Sequence, residues 1–98
     1  MDELSKAILD QLRRYPDGVT REQLEIVTGR DDRSIRRKIE ELRKAHYPIG
    51  RAKSGYTYGN NAGLRYTIAE MRSKALNQLN TAAALEQCLT VDGQEQWL

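Results

Sequence analysis

Three arginines fall within five positions of one short stretch: Arg33, Arg36 and Arg37, in the run Asp32-Arg33-Ser34-Ile35-Arg36-Arg37. A guanidinium is planar, permanently charged and carries its donors in a fork. It grips paired acceptors, such as guanine O6 and N7 or two phosphate oxygens, with two bonds at once. Arg43 and Lys44 follow closely, Arg21 and Arg30 precede, and Arg51 and Lys53 lie just beyond. Residues 13–53 carry twelve bases against seven acids, whereas 1–12 hold one base and three acids, and 54–98 hold three bases and four acids. The modest net charge of +2 therefore conceals a basic middle, which is where a polyanion would be bound.

Catalytic and metal chemistry find no comparable support. Cys88 is the single cysteine and His46 the single histidine, far apart in the chain. No intrachain disulfide, cysteine-based metal site, Cys/His pair or histidine cluster can be assembled from them. The expectation is a binding protein and not an enzyme, with no cofactor, metal or small-molecule substrate. Met1-Asp2-Glu3-Leu4 opens directly into a helical pattern, and no apolar run is long enough to span a membrane. A cytoplasmic location without membrane contact is expected.

The elements that must position these residues are readable from apolar spacing. Leu4, Ala7, Ile8 and Leu12 predict a helix over 2–14, stopped by Tyr15-Pro16-Asp17-Gly18. Val19 reads as a one-residue apolar bridge. Thr20 and Gln23 have the form of a capping box and open a second helix over 21–28, with Leu24 and Val27 facing inward and Gly29 ending it. Asp31 or Asp32 caps a third helix that runs to about Ala45, with Ile35, Ile39 and Leu42 as its apolar stripe. Tyr47–Ala52 and Gly55–Tyr58 flank Lys53-Ser54 and read as a β-hairpin. Asn61 is placed as the cap of a long last helix over 62–89, with Cys88 as a small apolar residue on it. The expected class is mainly α with a small β-hairpin, divided into a domain at 1–60, a helix at 61–89 and a flexible tail at 90–98 that holds Trp97.

With Ile35, Ile39 and Leu42 turned to the core at 100° per residue, Arg33, Arg37, Glu40 and Lys44 fall on the opposite face of the third helix. Arg36 and Arg43 flank that face on one side and Glu41 on the other. Arg33 and Arg37 are the better placed for bases. Arg36 suits a phosphate or a pair with Glu40, while Arg43 and Lys44 suit the backbone. A solvated surface is the competing reading, because Arg36–Glu40, Arg37–Glu41 and Glu40–Lys44 are i,i+4 pairs that add only about 0.2–0.5 kcal/mol each. The hairpin also has two readings. Arg51, Lys53 and Ser54 at its tip can reach phosphate or the minor groove, and the bases can keep an edge strand soluble while Tyr47, Ile49, Tyr56 and Tyr58 cover the core. Both can hold, because side chains alternate along a strand. Thr20 and Arg21 head the second helix, where donors can meet a phosphate, and Thr20 can serve equally as a cap alone.

Thr28-Gly29, Asp32-Arg33, Ile35-Arg36, Ile39, Leu42-Arg43, Tyr47-Pro48-Ile49 and Gly55-Tyr56 form a recognisable series, with Met71-Arg72-Ser73 and Ala75 further on. On these residues the chain resembles the winged helix-turn-helix domains of bacterial biotin-repressor-type regulators, and more closely small DNA-binding proteins of phages and prophages of Gram-positive bacteria. The resemblance implies a winged helix-turn-helix followed by a long C-terminal helix, with double-stranded DNA as partner and transcription control or phage replication as setting. In such domains the second helix of the motif enters the major groove. That places Arg33, Ser34, Arg36 and Arg37 nearest the bases, with Arg21, Arg30, Lys44, Arg51 and Lys53 around them. Glu25 stands where these domains have a small residue and Arg30 where they have an apolar one, so either the helices pack differently or Arg30 turns outward. The alternative function is a winged-helix adaptor that binds protein without touching DNA, which Glu40 and Glu41 favour. The apolar set of the last helix exceeds what one contact needs. Leu76, Leu79, Ala83 and Leu89 are expected to pair with a second copy, or else the helix folds back on its own domain.

Overall fold

The structure, a computed structural model, describes residues 1–89, and the tail read over 90–98, with Trp97, lies outside them. The elements are α1 (Glu3–Arg14), α2 (Arg21–Thr28), α3 (Asp32–Lys44), β1 (Ile49–Ala52), β2 (Gly55–Tyr58) and α4 (Asn61–Glu86). The chain is mainly helical, with one two-stranded antiparallel hairpin and a long last helix. It divides into two compact units, Met1–Thr67 and a second beginning at Ile68. The first turns of α4, through Thr67, belong to the first unit.

Helix starts follow local chemistry. Asp2 Oδ1 accepts from the Ser5 amide at 2.7 Å, Thr20 Oγ1 from the Gln23 amide at 3.1 Å, and Asp31 Oδ1 from the Ser34 amide at 2.9 Å. Each occupies a donor that the first turn of a helix leaves without a partner. Gln23 Oε1 accepts in return from the Thr20 amide at 2.8 Å, completing the capping box. For α4 the cap is Asn60, whose Oδ1 accepts from the Gly63 amide at 3.0 Å, while Asn61 is already helical.

The core comprises Ile8, Leu9 and Leu12 of α1, Leu24 of α2, Ile35, Ile39 and Leu42 of α3, together with Val19 and Ile49. Burying side chains of this size stabilises the fold by about 1.5–3 kcal/mol each. α1 packs against α2, α3 and β2 together, so its buried arc extends to Ser5 and Leu9, beyond the stripe read from spacing. Val27, expected to face inward, is 50% exposed. A helix of eight residues turns one narrow face to its neighbours, and Leu24 fills it.

In the hairpin, Ile49 stands opposite Tyr58 and Ala52 opposite Gly55. Val19 adds a bridge to it, with Val19 N donating to Tyr56 O at 2.9 Å and Tyr56 N to Val19 O at 2.8 Å. The tip is fastened to the same connection by the Ser54 hydroxyl, which donates to the Asp17 carbonyl. Gly50 lets the first turn of α4 approach β1, for a Cβ there would stand 2.7 Å from the Gly63 carbonyl carbon. Thr67 closes this contact: its hydroxyl donates to Gly63 O at 2.8 Å and accepts from the Arg51 amide at 2.9 Å. At the far end of α3, His46 takes a left-handed φ of 73° while Tyr47 N donates to Leu42 O at 3.0 Å, ending the helix in the manner usual for glycine.

Candidate nucleic-acid interface

α2 and α3 are joined by three residues. Gly29 is left-handed (φ 69°, ψ 15°), and the Thr28 hydroxyl donates to Leu24 O at 2.6 Å while accepting from the Arg30 amide at 3.2 Å. The reversal is thus fixed by one glycine and one hydroxyl. Arg30 is exposed, so it turns outward onto the basic surface.

α3 buries Ile35, Ile39 and Leu42 and leaves Arg33, Arg37, Glu40 and Lys44 exposed. Lys44 Nζ lies 3.5 Å from Glu40 Oε1, both side chains largely in solvent, where such a pair is worth little. Among the described residues no ion pair within 4.0 Å engages Arg33 or Arg37. The expected Arg37–Glu41 pair is replaced by Lys38, whose ammonium holds Glu41 at 2.7 Å and Asp2 at 2.8 Å. Lys38 and Glu41 share the flank that meets the start of α1, whereas Arg37 points away from it. Those bonds raise the Lys38 pKa, with Asp2 the larger cause, and hold the Asp2 carboxyl well below the usual carboxylate range.

Two other candidate residues are engaged in capping. The Ser34 hydroxyl and amide both serve Asp31, whose carboxyl they hold below its ordinary pKa, the hydroxyl first. The Thr20 hydroxyl is taken by its box with Gln23.

The other flank of α3 faces the hairpin. Arg36 pairs backward with Asp32, Nε to Oδ2 at 2.9 Å, and not forward with Glu40. Spacing permits either partner, and the four-residue interval from Asp32 to Arg36 was signal enough to include this one. Arg21, at the start of α2, comes within 3.5 Å of Asp32 Oδ1 and 3.4 Å of Glu22. Arg21, Arg36 and Arg51, with Glu22, Gly55 and Tyr56, surround a recess of about 160 Å³. Glu22 carries no sequence signal for such a site, since only the tertiary fold brings it beside Arg36 and Arg51. Arg43, expected to reach a phosphate, is half-buried and donates through Nε to Ile49 O at 2.8 Å, tying α3 to β1. Burial pushes its pKa down. Arg51 and Lys53 are exposed on the hairpin.

Along α4, Leu76, Leu79 and Ala83 are exposed, as are Ile68, Met71 and Leu85. Leu89 and Cys88 lie beyond the end of α4 at Glu86, so neither extends the helical face assigned to it. Among the described residues no helix is long and apolar enough to cross a membrane. No family model, curated protein or solved structure matches the chain.

Proposed function

We propose that the chain is a DNA-binding winged helix-turn-helix protein, with α2 and α3 as the motif and β1–β2 as the wing. It acts in transcription control or in the replication module of a phage or mobile element, not as an enzyme. The reading rests on one observation above all. Among the described residues Arg33 and Arg37 stand exposed and without an ion pair within 4.0 Å, on the side of α3 opposite its core stripe, immediately after a three-residue reversal. In this reading α3 lies in the major groove with its N-terminal half nearest the bases, and Lys44, Arg51 and Lys53 meet the backbone. Fluorescence polarisation with a labelled mixed-sequence duplex at low salt tests it. Measurable affinity is expected, with log K falling linearly in log salt at about 0.9 per phosphate contacted. No binding at low salt would overturn it in favour of a protein-binding adaptor, a reading that Glu40, exposed on the same face, supports.

We also propose that a second copy of the chain covers α4. Leu76, Leu79 and Ala83 present apolar surface, and Ile68 to Glu86 holds two acids and two bases, so identical helices meet no net repulsion. A two-fold dimer offers two copies of α3 to symmetric half-sites. Sedimentation at tens of micromolar should give a dimer that Leu79→Lys dissociates. A strict monomer would refute the pairing.

A further inference from the structure

We infer that the recess between Arg21, Arg36 and Arg51 is a binding site for a single phosphate group. Its source, a backbone phosphodiester of duplex DNA, rests on the function proposed above, whereas its chemistry does not.

Arginines from three different elements line this recess: Arg21 at the start of α2, Arg36 on α3 and Arg51 on β1. Bringing like charges together is unfavourable unless an anion lies among them. Asp32 supplies part of that anion. One of its oxygens pairs with Arg36 at 2.9 Å, and the other stands 3.5 Å from Arg21, buried and without a hydrogen bond. Among the described residues Glu22 pairs with Arg21 only. Arg51 has no ion pair within 4.0 Å among the described residues, and its backbone is fixed through the bond from its amide to Thr67. Behind these, Arg43 is close enough to Tyr56 and Arg51 to interact electrostatically with both, and its Nη2 is buried with no partner. The lining therefore holds three arginines against one carboxylate, Glu22, while Asp32 pairs with two of those arginines and Arg43 adjoins.

A tetrahedral phosphate offers acceptor lone pairs in every direction, so forks arriving from three elements can each find one. A planar carboxylate cannot serve them equally well. Asp32 holds Arg21 and Arg36 in place until the phosphate arrives and competes with it afterwards. Arg36 sits about a quarter turn from the outward face that carries Arg33 and Arg37. An anion in the recess thus lies beside the base-reading face, as the edge of a groove would.

The test uses the full chain in two arms. In the first, wild type, Arg51→Ala and Asp32→Asn are titrated with labelled duplexes of unrelated sequence over a range of salt. Arg51→Ala should weaken binding about tenfold on every sequence and lower the salt slope by about one. Asp32→Asn should tighten binding. In the second arm, inorganic phosphate is added while amide resonances are followed by NMR. Saturable shifts at Gly55 and Tyr56 are expected, and Arg51→Ala should abolish them. The Arg51 side chain is exposed, so an unchanged melting temperature confirms that the variant folds. Duplex binding that Arg51→Ala leaves intact in affinity and slope would overturn the site while sparing the DNA reading. Saturable shifts without any duplex binding would support the site and overturn DNA as its source. Neither shifts nor binding would overturn both.

Discussion

Replacing Arg33 and Arg37 together by alanine should weaken binding to a specific duplex by about a hundredfold or more at fixed salt. Each arginine that takes a guanine with two bonds is worth about 1–3 kcal/mol of discrimination, and two such contacts readily reach that factor. The variant isolates binding from folding. Both side chains are exposed and have no ion pair within 4.0 Å among the described residues, and alanine is the best helix former, so α3 loses nothing by the change. The loss should be largest on the preferred sequence and small on unrelated ones. Lys44→Ala, by contrast, should weaken all sequences alike. Polarisation with two duplexes distinguishes these outcomes. Undiminished affinity in the double variant would remove the outward face of α3 from the interface.

Gly55→Ala should be the most damaging single substitution in the first unit that changes only one methyl group. Gly55 has a φ of 114°, a conformation that a Cβ strains by itself, and the Cβ would run into the Val19 carbonyl. That obstacle is backbone, held by the two hydrogen bonds of the Val19–Tyr56 bridge, and the Val19 side chain is fully buried. Relief requires the bridge to open, so the cost should be about 3 kcal/mol or more. At about 4–8 °C per kcal/mol for a domain of this size, the melting temperature should fall by more than about 10 °C. Gly59→Ala is the control. Its φ of 68° is also left-handed, but nothing lies within 4 Å of the added methyl, leaving only backbone strain of about 1–2 kcal/mol. If the two variants melt together, the bridge yields to the methyl group and the argument from collision fails.

Much of this arrangement was legible because it is local. Thr20 and Gln23 cap α2, Gly29 ends it and Asp31 starts α3 through contacts within four residues of chain. The outward placement of Arg33 and Arg37 needs only the stripe Ile35, Ile39, Leu42 and the pitch of a helix. What escaped is tertiary. Leu9 is buried and Val27 exposed because of what packs beside each helix, which spacing does not record. Arg43 resembled its basic neighbours until Ile49 O came within its reach. His46 does the work of a helix-ending glycine, so the usual composition signal is missing. The first unit continues to Thr67 because Gly50 and Gly63 let two backbones meet, and neither glycine belongs to a recognisable motif.

The four sides of α3 carry separate duties. One side fills the core, one is held to α1 through Lys38, one adjoins the hairpin through Arg36 and Arg43, and the last bears Arg33, Arg37, Glu40 and Lys44 with no tertiary partner among the described residues. Changes at positions 33, 37, 40 and 44 therefore leave the scaffold intact. If α3 reads DNA as proposed, its preference can be rewritten at these positions, by drift or by design, while how the chain folds stays the same.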